Sequence, residues 1–213
     1  MGNSLIRRPF TYRFYNAVIF IVGLNVLVFL LSLIAPTINR YLALNPVYFI
    51  KGHYYWQVVT YMFAHANMTH ILFNMLGLFF FGMQLERRMG STEFILFYLL
   101  TGMLAGVFSL IVYTASGSNV WLLGASGAVF AVLLGFATYF PDARIFIFGI
   151  FPIKAPYLVL GYTAIELVSQ LFGRGTGVAH LTHLAGFGFA LLYLIIRLNI
   201  NPIKVFLGKD RQY

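Results

Sequence analysis

Six apolar stretches separated by short polar breaks decide most of what this chain can fold into. They run about Tyr15 to Ile34, Val58 to Leu85, Thr92 to Thr114, Leu123 to Tyr139, Pro156 to Phe172 and Val178 to Leu198. A helix of roughly 20 apolar residues crosses the ~30 Å hydrocarbon core of a bilayer. The expected fold is therefore all-α, a polytopic membrane bundle of six transmembrane helices. The fifth stretch starts least clearly, because Pro152, Lys154 and Pro156 interrupt an apolar run that begins at Ile145. Hydrophobic residues make up 61% of the chain and charged residues only 9%, against roughly 25% charged in a soluble domain. In water such a chain would aggregate unless lipid covered it. Residues 1–14 read as a short tail, 15–198 as one membrane domain and 199–213 as a basic tail. The apolar run after Phe14 is longer than the core of a cleaved signal peptide, so it is expected to stay in the membrane.

The net charge of +9 does not point to nucleic acid, because the basic residues sit at the ends of apolar stretches. With six spans, Arg7, Arg8, Arg13, Arg87, Arg88, Arg144, Lys154, Arg197, Lys204, Lys209 and Arg211 share a side with both termini. Arg40, Lys51 and Arg174 fall on the other, a split of 11 against 3. Positively charged loops stay cytoplasmic, so both termini are expected in the cytoplasm. The chain has no cysteine, which excludes disulfides and thiolate metal sites.

Polar residues inside a span are costly and need a reason. His70 and Asn74 lie early in the second stretch, Ser126 near the start of the fourth and His183 near the start of the sixth. All three stretches run from outside to inside, so the four residues share one layer in the outer half of the membrane. His70 and Asn74, four apart, share a helix face and both carry side-chain donors. Aimed at one point they can stabilise an oxyanion. Ser126, at a helix N-terminus among small neighbours, needs a base to become a nucleophile. His183 is the natural base, and Gly186 and Ala190 after it allow close helix packing. Each residue also has a plainer reading. A serine can bond its own backbone one turn back, a histidine can bridge helices and Asn74 can be packing glue. Phe130, one turn from Ser126, packs on His183 or faces lipid. Glu86 with Arg87 and Arg88 reads as an interfacial anchor or loop ion pair. Glu166 within the fifth stretch has no assigned role, and neither do His65 and His180.

Competing chemistries are narrowed by the same residues. A lipase-type elbow needs G-x-S-x-G, and position 128 is Ala. A zinc protease helix needs H-E-x-x-H, which is missing. Asp142 and Asp210, the only aspartates, both fall outside the spans, which excludes a paired-aspartate protease. His180 and His183 with His65 and His70 could form a zinc site, but the expected topology brings no carboxylate or thiolate to that depth. A silent membrane-protein binder and a small transporter using the polar layer are the alternatives to an enzyme.

These motifs together resemble the rhomboid family of intramembrane serine proteases in its bacterial six-span form, over roughly Trp56 to Ile196. The His65…His70-Ile71-Leu72-Phe73-Asn74 run is similar to the family's second-span motif, and Glu86-Arg87-Arg88-Met89-Gly90-Ser91 to the turn after it. Gly124-Ala125-Ser126-Gly127 resembles the G-x-S-G nucleophile motif, and Ala179-His180-Leu181-Thr182-His183-Leu184-Ala185-Gly186 the last-span histidine motif. Two positions depart from the pattern: Phe130 stands where some members have Tyr, and Trp56-Gln57 where the first loop often carries Trp-Arg. The resemblance implies Ser126 as nucleophile, His183 as general base, and His70, Asn74 and the Ser126 backbone N–H as oxyanion hole. It implies a dyad, so a missing aspartate is no defect, and His180 takes no family role. It further implies single-span membrane protein substrates, cut in the bilayer near the outer end of the helix, no cofactor, and a place in the bacterial cytoplasmic (inner) membrane.

Overall fold

The computed structural model describes residue 7 and residues 10–147, 149–172 and 178–209. The first six residues of the N-terminal tail, Arg8, residues 173–177 with Arg174, Asp210 and Arg211 lie outside the described residues. Helices dominate: α1 Ala17–Ile34, α2 Thr37–Leu42, α3 Pro46–Ile50, α4 Gln57–Thr60, α5 Met68–Gly77, α6 Met83–Met89, α7 Ser91–Ala115, α8 Ser126–Tyr139, α9 Ala155–Phe172, α10 Val178–Ile196 and α11 Pro202–Phe206. Among the described residues three helical stretches are long and apolar enough to cross a membrane, Ala17–Ile34, Met68–Met89 and Ser91–Ala115. Ser126–Tyr139 and His180–Ile196 are shorter apolar helices.

The second of these spans starts ten residues later than its hydropathy suggests. Val58 to Phe63 forms only short helical turns, and Ala64 is extended. Asn67 then opens α5, its side chain accepting the His70 N–H at 2.9 Å. Asparagine at such a position satisfies a donor the helix itself leaves orphaned. A π-helical turn, Leu78–Gly82, joins α5 to α6. The fifth stretch also differs from its expected outline. Arg144–Ile147 (β1) and Phe151–Lys154 (β2) pair as an antiparallel hairpin, with Arg144 opposite Lys154. Helix α9 follows at Ala155, one residue from the expected Pro156. Pro152 lacks the N–H an interior helical residue donates, which makes it compatible with a two-stranded edge but not with a continuous span.

Helix α8 is the centre of the bundle, with residues 127–129 and 131–138 buried. It packs against α7, α9 and α10. Tyr61, Met62, Phe94, Phe97 and Tyr98, all at most 1% exposed, fill the space around it. Glu86 is not an interfacial anchor, and it forms no ion pair among the described residues. It is fully buried, and its carboxylate accepts the N–H groups of Ala17 at 2.6 Å and Val18 at 3.0 Å and the Ser91 hydroxyl. The N-terminus of α1 has no cap from its own Asn16, so a carboxylate 69 residues away supplies it, favoured by the helix dipole. Gly90, at φ 84°, turns the chain between α6 and α7 and lets the Ser91 N–H reach Arg13 O at 2.7 Å. The loop after α1 is also held. Buried Gln57 accepts the Asn45 N–H at 3.2 Å, and the Trp56 indole donates to Tyr41 O at 3.0 Å.

Candidate active site

The chain enters α8 through an extended segment. Leu122 pairs with Leu44, and the Gly124 N–H donates to Tyr61 O at 2.9 Å. Gly124 sits at φ 122°, and a Cβ there would lie 2.6 Å from His70 Nε2. Glycine is required on both counts, backbone conformation and close approach of the His70 ring. Two residues later Ser126 begins α8, where the first backbone N–H groups have no helical partner.

Helix α10 meets α8 closely enough to bring His183 to Ser126. A Cβ on Gly186 would fall 2.1 Å from Gly127 O, so the two helix backbones touch at this pair. Ala190 is also fully buried. One turn from Gly186, His183 Nε2 lies 2.7 Å from Ser126 Oγ. The imidazole stacks on Phe130, ring centroids 4.2 Å apart and planes 9° from parallel. Phe130 thus faces the histidine rather than lipid, and the stack fixes the plane in which Nε2 points at the serine.

His70 and Asn74 line the same cavity as Ser126 and His183. Its volume is about 660 Å³, and Phe73, Phe130 and Tyr162 form part of its apolar wall. Asn74 is 6% exposed, and its amide donates to His70 O at 3.0 Å. The amide has two N–H donors, so one remains for the cavity. His65 lies outside this group. It is buried beside His70, ring centroids 5.1 Å apart, and its Nε2 is 3.5 Å from the Ala125 N–H.

Glu166 is one of three residues, with His65 and His180, that sequence reasoning left without a role. It is 7% exposed. Its Oε2 lies 2.5 Å from His180 Nδ1 and its Oε1 3.0 Å from His183 Nδ1. The expectation that no carboxylate reaches the depth of these histidines is therefore wrong, because α9 brings one there. The signal was present, since an ionisable residue within a membrane span marks a functional site by default. Among the described residues the cluster that could ligate a metal is Glu166, His180 and His183, with ligand atoms within 4.8 Å of one another. His65 and His70 are not in it.

Fold and site together define a helical integral membrane protein with a serine hydroxyl and an imidazole paired at the wall of an open cavity. The Rhomboid domain family model matches residues 52–200, and the chain belongs to the rhomboid family. It is 32% identical over 151 residues to RHOMBOID-like protein 4 of Arabidopsis thaliana, covering 69% of this chain and 36% of that protein. It is 27% identical over 179 residues to the mitochondrial presenilin-associated rhomboid-like protein of Rattus norvegicus, covering 82% of this chain and 46% of the relative. Rhomboid protease AarA of Providencia stuartii is 27% identical over 146 residues, 62% of this chain and 52% of that protein. The chain thus spans about a third to a half of the length of these relatives.

Proposed function

We propose that this chain is an intramembrane serine endopeptidase that cleaves transmembrane segments of other membrane proteins. Ser126 is the nucleophile and His183 the general base. His70, Asn74 and the Ser126 backbone N–H form the oxyanion hole. The observation that carries this reading is the 2.7 Å contact between Ser126 Oγ and His183 Nε2 at a cavity that His70 and Asn74 also line. Ser126 Oγ attacks the scissile carbonyl carbon as its proton passes to His183 Nε2. The oxyanion forms facing the donors. His183 then gives that proton to the leaving amine, and the acyl group stays on Ser126 as an ester. A water deprotonated by His183 releases the acid and restores the serine.

The length of α8 supports cleavage below the membrane surface. Its 14 residues span about 21 Å at 1.5 Å per residue, short of a ~30 Å hydrocarbon core. With Tyr139 at the inner surface, Ser126 lies roughly 9 Å beneath the outer one. The non-helical backbone of Leu122 to Gly124 is tolerated at that depth because protein covers it, with Leu122 and Gly124 buried. Six spans, α1, α5 to α6, α7, α8, α9 and α10, then place both termini of this chain on one side. The 11-to-3 distribution of basic residues supports a cytoplasmic location for that side, and the motif resemblance supports a bacterial cytoplasmic membrane. The substrates are single-span membrane proteins, which reach the site through the lipid bilayer.

A fluorophosphonate probe tests the nucleophile without knowledge of the substrate. The detergent-solubilised protein acquires one adduct on Ser126, Ser126→Ala acquires none, and His183→Ala is labelled far more slowly. Undiminished labelling of Ser126→Ala, or no labelling of the wild type, would refute the assignment and favour a silent membrane-protein binder.

A further inference from the structure

The base of the proposed protease has two ring nitrogens, and the reading above uses one. His183 Nδ1 is buried and has no aligned hydrogen-bond partner. Glu166 Oε1 lies 3.0 Å from it but off the line of the N–H, a close carboxylate–imidazole contact rather than an aligned hydrogen bond. The other oxygen of the same carboxylate is 2.5 Å from His180 Nδ1. Glu166 belongs to the face of α9 that meets α8 and α10. Val159 is buried, and Tyr162 stands edge-on to Phe130 at 5.8 Å. These three positions, i, i+3 and i+7, form one helical stripe. Glu166 is its only carboxylate.

An ionised carboxylate can only accept hydrogen bonds. Facing it, His183 Nδ1 must carry a proton. The neutral ring then has its lone pair on Nε2, where Ser126 donates. The opposite tautomer would place an N–H against the serine hydroxyl and a lone pair against a carboxylate. We infer that Glu166 is a positioning residue for His183, completing a Ser126–His183–Glu166 relay in which His180 holds the second carboxylate oxygen. The inference rests on the protease reading above. When the Ser126 proton reaches Nε2, His183 becomes an imidazolium with the carboxylate beside its Nδ1. Glu166 stays ionised throughout, and the proton leaves Nε2 for the departing amine. In serine proteases built on other folds, losing the corresponding acid costs up to about 10⁴ in kcat. The contact here is out of line, so a loss on the order of 10² is expected, the lower part of the range for general acid–base groups.

The same three residues do not favour a metal. Two ligands about 2.0–2.1 Å from a tetrahedral zinc lie roughly 3.3 Å apart. The His180 Nδ1 and Glu166 Oε2 atoms are 2.5 Å apart, a spacing for a direct hydrogen bond to the carboxylate.

The test compares kcat and KM for cleavage of a model single-span substrate by wild type, Glu166→Gln, Glu166→Ala, Glu166→Asp, Ser126→Ala and His183→Ala. Thermal unfolding midpoints are recorded in parallel, and Glu166→Gln is also made in the His183→Ala background. The expected result is a fall in kcat of about 100-fold in Glu166→Gln, with KM within about threefold and the midpoint near wild type. Glu166→Asp should recover about tenfold of that loss, and Glu166→Gln should add nothing once His183 is gone. Should Glu166→Ala fail to fold, the isosteric Gln variant decides. Wild-type kcat in Glu166→Gln, with Ser126→Ala and His183→Ala both inactive, would overturn the inference and leave the protease reading intact. An equal loss in the His183→Ala background would overturn it too, as would loss of wild-type activity on chelation with recovery on adding zinc. Full activity in Ser126→Ala or His183→Ala would instead sink the protease reading, and the relay with it.

Discussion

A single methyl group on α10 should disable the proposed site without touching Ser126 or His183. A Cβ on Gly186 would meet Gly127 O at 2.1 Å. Ordinary carbon–oxygen contact needs more than about 3 Å, so Gly186→Ala must part α8 and α10 by roughly 1 Å, because backbone on both sides cannot fold away as a side chain does. His183 is one turn from Gly186, so the 2.7 Å contact with Ser126 stretches to about 3.5 Å or beyond, past a useful hydrogen bond. A misplacement of that size costs about 10²-fold in rate, and overpacking costs about 1–3 kcal/mol of stability. Gly188→Ala is the control, since its Cβ meets nothing within 4 Å and alanine favours the helix by up to about 1 kcal/mol. The assay is substrate cleavage in detergent with fluorophosphonate labelling and thermal unfolding alongside. Gly186→Ala should lose about 100-fold in cleavage and labelling, while Gly188→Ala should remain within about twofold of wild type. Wild-type cleavage by Gly186→Ala would refute the claim that this contact sets the Ser126–His183 distance.

Other perturbations separate stability from chemistry. Glu86→Ala removes the acceptor for two α1 N–H groups and the Ser91 hydroxyl. It should cost about 2–4 kcal/mol of stability, from several buried groups left unsatisfied, and under the proposed function the protein that remains folded should keep the wild-type KM. Phe130→Ala deletes the ring stacked on His183. It should lower kcat by roughly 3- to 10-fold, the equivalent of about 0.5–1.5 kcal/mol of ring contact, whereas Phe130→Tyr, which preserves the ring, should stay near wild type. Steady-state kinetics on both variants checks this.

Much of this arrangement was legible in the residues because membrane solvent makes polarity informative. His70, Asn74, Ser126 and His183 stood out as polar residues in apolar stretches and now line one cavity, and Gly186 marked the face of α10 that meets α8. What the sequence hid is what depends on distant partners or on short local competition. Glu86 sits beside two arginines, which suggests an ion pair. Its real partners are the backbone groups of Ala17 and Val18, and backbone amides carry no sequence signal. Val58 to Phe63 is as apolar as a span, but Asn67 starts the continuous helix only at Met68. The Arg144–Lys154 hairpin lay inside an apolar run, where hydropathy alone does not separate strand from helix. Glu166 was visible as a buried-depth carboxylate, yet which helix face it occupied depended on where α9 began.

Cleavage of a model single-span substrate by purified wild type, Ser126→Ala and His183→Ala tests the central claim most directly. The account predicts that wild type cuts and that both variants lose nearly all activity while remaining folded, with the wild-type cut placed within the substrate's transmembrane segment. Cleavage by either variant at the wild-type rate would contradict it.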